Sequence, residues 1–200
     1  MAILGLTGGV ATGKSTFARR FLLEFPMNYF DSDQYVHDLL ADDDLVRQEV
    51  VSVFGPEILG ADNRPDRLKL RQRVFASETS RKALEGILHP RVRDAWREGV
   101  AKARKTDAWQ LVDIPLLYES GVQSEFDRVI VVAVPYATQM HRLVQERNLA
   151  PTMAGQIIAA QLDLGAKTQQ ADHVIWNDST VSNLDGQIRL LAAWLRSRYN

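Results

Sequence analysis

The stretch that decides the fold reads Gly8-Gly9-Val10-Ala11-Thr12-Gly13-Lys14-Ser15-Thr16. It fits the P-loop pattern, in which a glycine is followed by four residues and then by Gly-Lys-Ser or Gly-Lys-Thr. The residues before it, Ala2 to Leu6, are mostly apolar and predict a buried strand. From Thr16 to Glu24 apolar residues recur at helical spacing. A strand, a glycine loop and a helix start predict a phosphate site, because the loop N–H groups and the positive end of the helix dipole both face the anion.

The P-loop pattern assigns roles to two side chains. Lys14 is expected to reach the outer phosphates of a nucleotide, and the Ser15 hydroxyl is expected to bind Mg²⁺. A glycine-rich turn could match the motif by chance. The strand before this loop and the helix after it favour nucleotide binding instead.

Composition bounds the class of protein. The 200 residues, 46% of them hydrophobic, suit one α/β domain with inserted subdomains. The absence of cysteine excludes disulfides, cysteine-ligated zinc and thiol catalysis. No apolar run approaches the ~20 residues that span a bilayer, so no membrane contact is expected. The chain begins directly with the first predicted strand and has no basic segment before it, which predicts a cytoplasmic protein.

Charge is distributed unevenly although the net charge is only −1. Residues 64–105 carry 13 Lys and Arg against 5 Asp and Glu. A set of solvated helices would explain most of these side chains one by one. The excess also favours an anionic substrate facing this segment. A nucleic-acid partner is not expected, because the segment lacks the interleaved aromatic residues that stack on bases.

Two carboxylates follow the second predicted strand, Asn28-Tyr29-Phe30, in the sequence Asp31-Ser32-Asp33. Ligands of open α/β sheets gather at the carboxyl ends of the strands, so we expect Asp33 to be functional. A helix is predicted over 34–40, and Asp31 or Ser32 would be its N-cap. For Asp31 both interpretations, helix cap and functional acid, stay open.

A second acid, Asp113, ends the predicted strand Trp109–Ile114. Apolar residues followed by Asp have the form of a Walker B strand, whose carboxylate holds Mg²⁺.

Pattern and turn residues predict further elements in chain order: helices over 45–54 and over 66–108 with an interruption at His89-Pro90, a central parallel strand over 128–134, helices over 139–148 and 151–164, a polar stretch with Lys167, a strand over 173–176 and a closing helix over 184–195. His89, at the start of the helix that Pro90 would open, is either structural or a ligand contact.

Six blocks of the sequence together resemble the dephospho-coenzyme A kinase family. They are Gly5 to Thr16, Asp31-Ser32-Asp33, His89-Pro90, Asp113-Ile114-Pro115-Leu116-Leu117-Tyr118-Glu119, Gln139-Met140-His141-Arg142 and Ala171-Asp172-His173-Val174-Ile175-Trp176-Asn177. The resemblance extends from about residue 2 to residue 195. The P-loop is shared with many families, whereas the blocks at 89–90, 113–119 and 171–177 are more specific.

The resemblance implies an α/β fold with a P-loop kinase core, a five-stranded parallel sheet, a helical coenzyme A domain and a helical lid. The core would be residues 1–30, 109–138 and 168–200, the substrate-binding helical subdomain 31–108 and the lid 139–167. The implied activity is transfer of the ATP γ-phosphoryl group to the ribose 3′-hydroxyl of dephospho-coenzyme A, the last step of coenzyme A synthesis. ATP and Mg²⁺ are the implied donor and metal, and the oligomeric state is left open.

The resemblance also implies roles for individual residues. The ATP phosphates would be bound by Ala11, Thr12, Gly13, Lys14, Ser15 and Thr16, with Asn177 by the adenine. Lys14, Asp33 and Arg142 would be catalytic, with Asp33 facing the acceptor hydroxyl. Ser15 and Asp113 would hold the metal. The acceptor would be bound by Asp33, His89, Leu116, Tyr118 and Glu119.

The sequence departs from the family pattern in three ways. Ala11-Thr12 stands where Gly-Ser is common, which is expected to change little because the inner motif positions are permissive. Tyr118 replaces a commoner Phe or other apolar residue. Arg147, a second lid arginine, follows Arg142 by five residues instead of four, which in an α-helix rotates it by about 100°.

Other nucleotide-binding classes are the alternatives. A shikimate- or nucleoside monophosphate-type kinase shares the P-loop, but shikimate kinase is expected to have a later Gly-Gly-x-x-Arg segment, and Gly8-Gly9 is the only Gly-Gly in the sequence. A non-catalytic nucleotide switch of the GTPase type requires Asp-x-x-Gly and Asn-Lys-x-Asp, and the sequence contains neither. An ATP-dependent nucleic-acid binder would need aromatic residues that stack on bases, and the basic segment of this sequence lacks them.

Overall fold

The computed structural model describes residues 1–199, and the side chains of these residues except at positions 67, 75 and 76. The chain divides into two compact units. We call Met1–Phe30 together with the chain from Val100 onward the sheet unit, and Asp31–Gly99 the helical unit. Residue 200, the end of the predicted core segment 168–200, lies outside the described residues. The division into core, substrate-binding subdomain and lid stays a prediction.

A parallel sheet is the centre of the sheet unit. Its strands within residues 1–199 are β1 Ile3–Gly8, β2 Asn28–Asp31, β3 Gln110–Asp113, β4 Arg128–Ala133 and β5 His173–Trp176. They lie in the order β2-β3-β1-β4-β5, and β1 pairs in parallel with both β3 and β4, as β4 does with β5. The predicted five-stranded parallel sheet is confirmed.

Both faces of the sheet are covered, which explains why its central strands are buried and mostly apolar. Leu4 and Leu6 of β1 belong to the buried cluster that also contains Phe17 and Phe21. Gly5 faces the opposite side, where an added Cβ would lie 2.8 Å from a methyl carbon of Leu117. Side chains therefore pack on both faces of the sheet, and the loops that follow its strands lie at its carboxyl edge.

Helices cover the sheet and continue from its edge. Those of the sheet unit are α1 Lys14–Glu24, α6 Tyr136–His141, α7 Pro151–Ala159, α8 Leu164–Gln170 and α9 Val181–Tyr199. The rings of Phe17 and Phe21 on α1 stack with centroids 5.2 Å apart. Leu184 and Leu195 of α9 complete the same cluster.

The helical unit has its own core. Its helices are α2 Ser32–Asp42, α3 Asp44–Phe54, α4 Arg67–Ala76 and α5 Glu78–Lys105, the last of which continues into the sheet unit. The buried residues of this core include Val46, Val50, Ile58 and Leu88. The interior residues come from α2, α3, α4, α5 and the short 3-10 helix Pro56–Ile58, so this unit buries apolar surface independently of the sheet.

The predicted helix break at His89-Pro90 is wrong. Helix α5 runs through Pro90, and the break comes earlier, at Ser77, whose backbone is extended at φ −152° and ψ 124°. The Ser77 hydroxyl accepts from the N–H of Ser80 at 3.3 Å and caps the start of α5. Ile87 and Val92, on the two sides of the proline, pack against the same core, so tertiary packing keeps the chain helical across it. His89 is therefore an exposed residue inside a helix.

Two further helix predictions are corrected after β4. The helix expected over 139–148 begins at Tyr136 and becomes π-helical over Arg142–Glu146. The helix expected over 151–164 ends at Ala159, and α8 begins at Leu164, where the Asp163 carboxylate accepts from the N–H of Ala166. Lys167 lies inside α8, not in a polar stretch, and its side chain is fully buried.

None of the helices within residues 1–199 combines the length and the apolar character that a bilayer crossing requires.

Replacing Pro90 tests the continuity of α5. In a helix interior alanine is more favourable than proline by about 3 kcal/mol. Alanine also leaves the unfolded chain more conformational freedom, which lowers the gain in stability by about 0.4–1 kcal/mol. We therefore expect Pro90→Ala to raise the free energy of unfolding by about 2 kcal/mol, measured by urea denaturation. Glu98→Ala, at an exposed position of the same helix, is the control and should change it by less than about 0.5 kcal/mol. A destabilised Pro90→Ala protein would contradict a continuous helix.

Candidate functional site

The carboxyl edge of the sheet gathers the loops that carry the predicted nucleotide residues. Leu6 of β1 is in register with Asp113 of β3 and with Ile130 of β4. Ala133 of β4 is in register with Trp176 of β5. The P-loop, the predicted Walker B acid and Asn177 therefore start from the same edge, as ligand sites of parallel sheets do.

The P-loop backbone takes left-handed conformations at two residues. Gly13, the N-cap of α1, has φ 82°, and a Cβ there would lie 2.2 Å from the Asn177 side-chain nitrogen. Only glycine fits this position. Ala11 has φ 59°, a conformation that costs a residue with a Cβ about 1–2 kcal/mol. Alanine at position 11, where the family pattern commonly has glycine, therefore carries a cost in backbone conformational energy. The motif alone did not indicate this cost.

Three consecutive P-loop carbonyls accept hydrogen bonds from side chains outside the loop. The carbonyl of Val10 accepts from Gln139 Nε2 (2.8 Å), that of Ala11 from Arg142 (2.9 Å) and that of Thr12 from Asn177 Nδ2 (2.8 Å). In a planar trans peptide the carbonyl and the next N–H point in opposite directions. These side chains hold the carbonyls on the outer side of the loop. The N–H groups of Ala11 and Gly13 therefore point to its inner side. The loop thus has the polarity that a phosphate requires.

Lys14 and Asp113 form an ion pair at the mouth of this loop, with Nζ 2.5 Å from Oδ1. The Asp113 side chain is only 2% exposed, and its second oxygen accepts from the Tyr29 hydroxyl at 3.3 Å. An almost buried carboxylate is costly without partners, and here a cation supplies the charge. Lys14 and Asp113 therefore lie side by side at the loop, and their roles toward phosphate and Mg²⁺ stay predictions.

The oxygen atoms at this position suit a magnesium ion. Ser15 provides an exposed hydroxyl at the start of α1, and Asp113 provides a carboxylate. Within the described part of the chain no group of three or more His, Asp or Glu residues could enclose a metal. Mg²⁺ is commonly held by one or two protein oxygens together with substrate phosphates, so the residues fit this ion.

The predicted lid arginine Arg142 contacts backbone. Its guanidinium donates to the carbonyls of Ala11 and Asn177, at 2.9 and 2.7 Å. Arg147, which is exposed, donates its N–H to the carbonyl of Arg142 at 3.2 Å. This bond joins residues five positions apart, as in a π-helix. The spacing that would misplace Arg147 on an α-helix is therefore absorbed by one π-helical turn.

The predicted acceptor residues after β3 have three different environments. Leu116 is half-buried, and its carbonyl accepts from the N–H of Ser120. Tyr118 is buried, and its hydroxyl has no hydrogen-bond partner among the described residues. Burial raises the pKa of Tyr118 to about 12, and the Asp172 carboxylate adds to the rise. Glu119 pairs with Lys167 at 2.8 Å.

The other two predicted acceptor residues, Asp33 and His89, belong to the helical unit. Asp31 is the N-cap of α2, with its carboxylate accepting from the N–H groups of Asp33 and Gln34 at 3.0 Å. Asp33 is exposed in the first turn of that helix. His89 on α5 lines a groove of about 390 Å³.

Residues that the sequence interpretation missed hold the P-loop in place. Gln139 is buried, and Gln161 accepts from the N–H of Val10 at 2.8 Å. Lys167 lies 3.4 Å from the Gly8 carbonyl. The i, i+3 spacing of Gln139 and Arg142 was an available signal, because such residues share a helix face. Gln161 and Lys167 lie in polar sequence and carry no comparable signal.

Comparison with known proteins gives a consistent result. The family model described as dephospho-CoA kinase matches residues 2–183. A dephospho-CoA kinase of Methylococcus capsulatus is 38% identical over 191 residues, 96% of this chain and 95% of that protein. The structure of the dephospho-CoA kinase from Campylobacter jejuni is similar with a TM-score of 0.73 and 25% identity, covering 98% of this chain and 97% of that one. Shikimate kinase from Bacteroides thetaiotaomicron, at a TM-score of 0.55 and 14% identity over 97% and 98% of the chains, shares the fold.

The buried hydroxyl of Tyr118 predicts how stability responds to alkaline pH. A tyrosine titrates near pH 10 when unfolded, so the folded protein keeps the proton more firmly between pH 10 and about 12. The free energy of unfolding is therefore complete below pH 10 and falls as pH rises through this window, by up to about 2–3 kcal/mol. We expect Tyr118→Phe to lack this part of the loss and to match or slightly exceed the wild type at pH 7, because an unpaired hydroxyl is removed.

Urea denaturation of both proteins at pH 7, 10 and 11.5 measures the difference directly, since all other titrating groups are shared. A Tyr118→Phe protein that lost more than about 1 kcal/mol at pH 7 would show that the hydroxyl has a partner.

Proposed function

This chain belongs to the dephospho-CoA kinase family, and we propose that it transfers the γ-phosphoryl group of ATP to the ribose 3′-hydroxyl of dephospho-coenzyme A. The product is coenzyme A, and the second product is ADP. The reaction requires a donor site for the phosphates of ATP and a base that receives the proton of the attacking hydroxyl. The proposal places the enzyme in the cytoplasm, where ATP and the acceptor are found.

The observation that carries the proposal is the P-loop with Lys14 and Asp113 at its mouth. Three side chains hold its carbonyls outward, and the loop opens at the N-terminus of α1, whose first N–H groups lack helical acceptors. Phosphate oxygens are the ligands that such a loop favours. The residues from Ala11 to Thr16 would bind them, with Asn177 close to the adenine.

Lys14 changes partner when nucleotide binds in this proposal. It leaves Asp113 for the phosphate oxygens, where its charge offsets the negative charge of the transferring group. Ser15 and Asp113 would hold Mg²⁺, which would supply positive charge to the phosphates. Arg142 contributes positive charge at the loop while holding the Ala11 carbonyl.

The acceptor step requires a base, and we assign it to Asp33. As the 3′-oxygen bonds to the γ-phosphorus, the bond from that phosphorus to the leaving ADP oxygen breaks, and the hydroxyl proton passes to the Asp33 carboxylate. His89, Leu116 and Tyr118 belong to the acceptor site in this proposal, and the family resemblance adds Glu119. The basic excess of residues 64–105 supports it, because the acceptor contains a pyrophosphate.

Coupled formation of ADP and coenzyme A tests the function. The wild-type protein should form both, in equal amounts, only when ATP, Mg²⁺ and dephospho-coenzyme A are all present, as measured by mass spectrometry. Asp33→Asn removes the base but retains the size, and should lower the turnover rate by roughly 10²–10⁴-fold with ATP affinity nearly unchanged.

Asp38→Asn is the matched control, since it removes an exposed carboxylate from the same helix and should leave the rate unchanged. A normal turnover rate for Asp33→Asn together with a lowered melting temperature would show that Asp33 only stabilises the first turn of α2. ADP formation that ignores dephospho-coenzyme A would overturn the proposed function itself.

A further inference from the structure

The sheet unit buries a lysine directly behind the P-loop. The Lys167 side chain on α8 is 0% exposed, and its Nζ lies 2.8 Å from Glu119 Oε1 in the turn after β3. A buried ammonium is unfavourable unless a charge and hydrogen-bond acceptors surround it. Here the acceptors include the carbonyls of Gly8 at 3.4 Å and Pro115 at 3.3 Å. The lysine therefore connects α8 to the first residue of the P-loop and to the turn that follows Asp113.

The partner carboxylate extends this connection to a second segment. Glu119 Oε1 also accepts from the N–H of Leu162, at 2.9 Å, in the link between α7 and α8. The neighbouring residue, Gln161, accepts from the N–H of Val10 at 2.8 Å. The ion pair thus holds the backbone next to the glutamine that contacts the loop.

Both polar groups of the Val10 backbone are occupied by glutamines. Gln161 takes the N–H, and Gln139 donates to the carbonyl. With the Val10 N–H engaged by the protein, the groups that remain for phosphate begin at Ala11. A loop fixed in this way loses little conformational freedom when nucleotide binds, which favours affinity.

We propose that Lys167 and Glu119 are positioning residues for nucleotide binding, which hold Gln161 on Val10 and so set the P-loop conformation in advance. They contact the loop and its support, not the reacting atoms. The inference rests on the nucleotide-binding part of the proposed function. It assigns Glu119 to the donor side, whereas the family resemblance assigns it to the acceptor.

Binding of ADP with Mg²⁺, measured by calorimetry, tests this without depending on turnover. Lys167→Met and Glu119→Gln should each weaken ADP binding by at least about tenfold, equivalent to one or two lost hydrogen bonds. The double variant removes both charges and leaves none buried alone, so it keeps the test valid if a single variant does not fold. Because the residues act as one unit, its loss should equal that of one single variant, not the product of two.

Gln161→Ala separates positioning from general stability. It leaves the ion pair between Lys167 and Glu119 intact and should weaken ADP binding by the same factor, with no further loss when combined with Lys167→Met. Asp185→Asn is the matched control, because it breaks the ion pair between Arg20 on α1 and Asp185 on α9, which takes no part in the hydrogen bonds to the P-loop described above. It should lower the melting temperature and leave ADP affinity unchanged.

Three outcomes overturn the inference. ADP affinity within twofold of wild type in folded Gln161→Ala and in the double variant makes the pair purely structural. A selective loss of dephospho-coenzyme A binding in Glu119→Gln returns that residue to the acceptor site. If the losses of ADP affinity in Gln161→Ala and Lys167→Met multiply when the two substitutions are combined, the two residues act separately. A wild-type protein that binds ADP but does not phosphorylate dephospho-coenzyme A contradicts the proposed function alone, and these ADP measurements still apply.

Discussion

The orientation of the peptide groups at Val10, Ala11 and Thr12 is the constraint on which the site depends. A phosphate cradle requires N–H groups on its inner side, and the carbonyls on the outer side then need donors. The loop is too short to supply them. Gln139, Arg142 and Asn177 do so from later parts of the chain, so phosphate binding depends on elements far from the P-loop in sequence.

The sheet determines where these donors can be. Parallel pairing brings the ends of β1, β4 and β5 to one edge, and both sheet faces are covered by side chains. The segments after β4 and β5 therefore leave the sheet beside the P-loop. Gln139 and Arg142 follow β4, and Asn177 follows β5 directly. The parallel topology and the hydrogen bonds to the loop are two parts of the same arrangement.

Much of this fold could be predicted because its signals are local. The strand over 173–176 and the P-loop helix are found where apolar runs and turn residues place them. The helix through Pro90 was missed because packing of Ile87 and Val92 outweighs the local preference of proline. Lys167 was missed because a lysine among polar residues indicates solvent, and only the folded chain brings Glu119 to it. Long-range pairing of charges leaves no pattern in a single sequence.

The central claim is that the protein sets the P-loop conformation before nucleotide arrives, and hydrogen exchange at single amides tests it most directly. Exchange of the Val10 amide should be slow in the free protein and unchanged by ADP with Mg²⁺, because Gln161 already accepts its hydrogen bond. The amides of Lys14 and Ser15, in the first turn of α1, should become protected only when the nucleotide is added. A Val10 amide that exchanges freely until ADP is present would contradict the account, because the loop would then be ordered by its ligand.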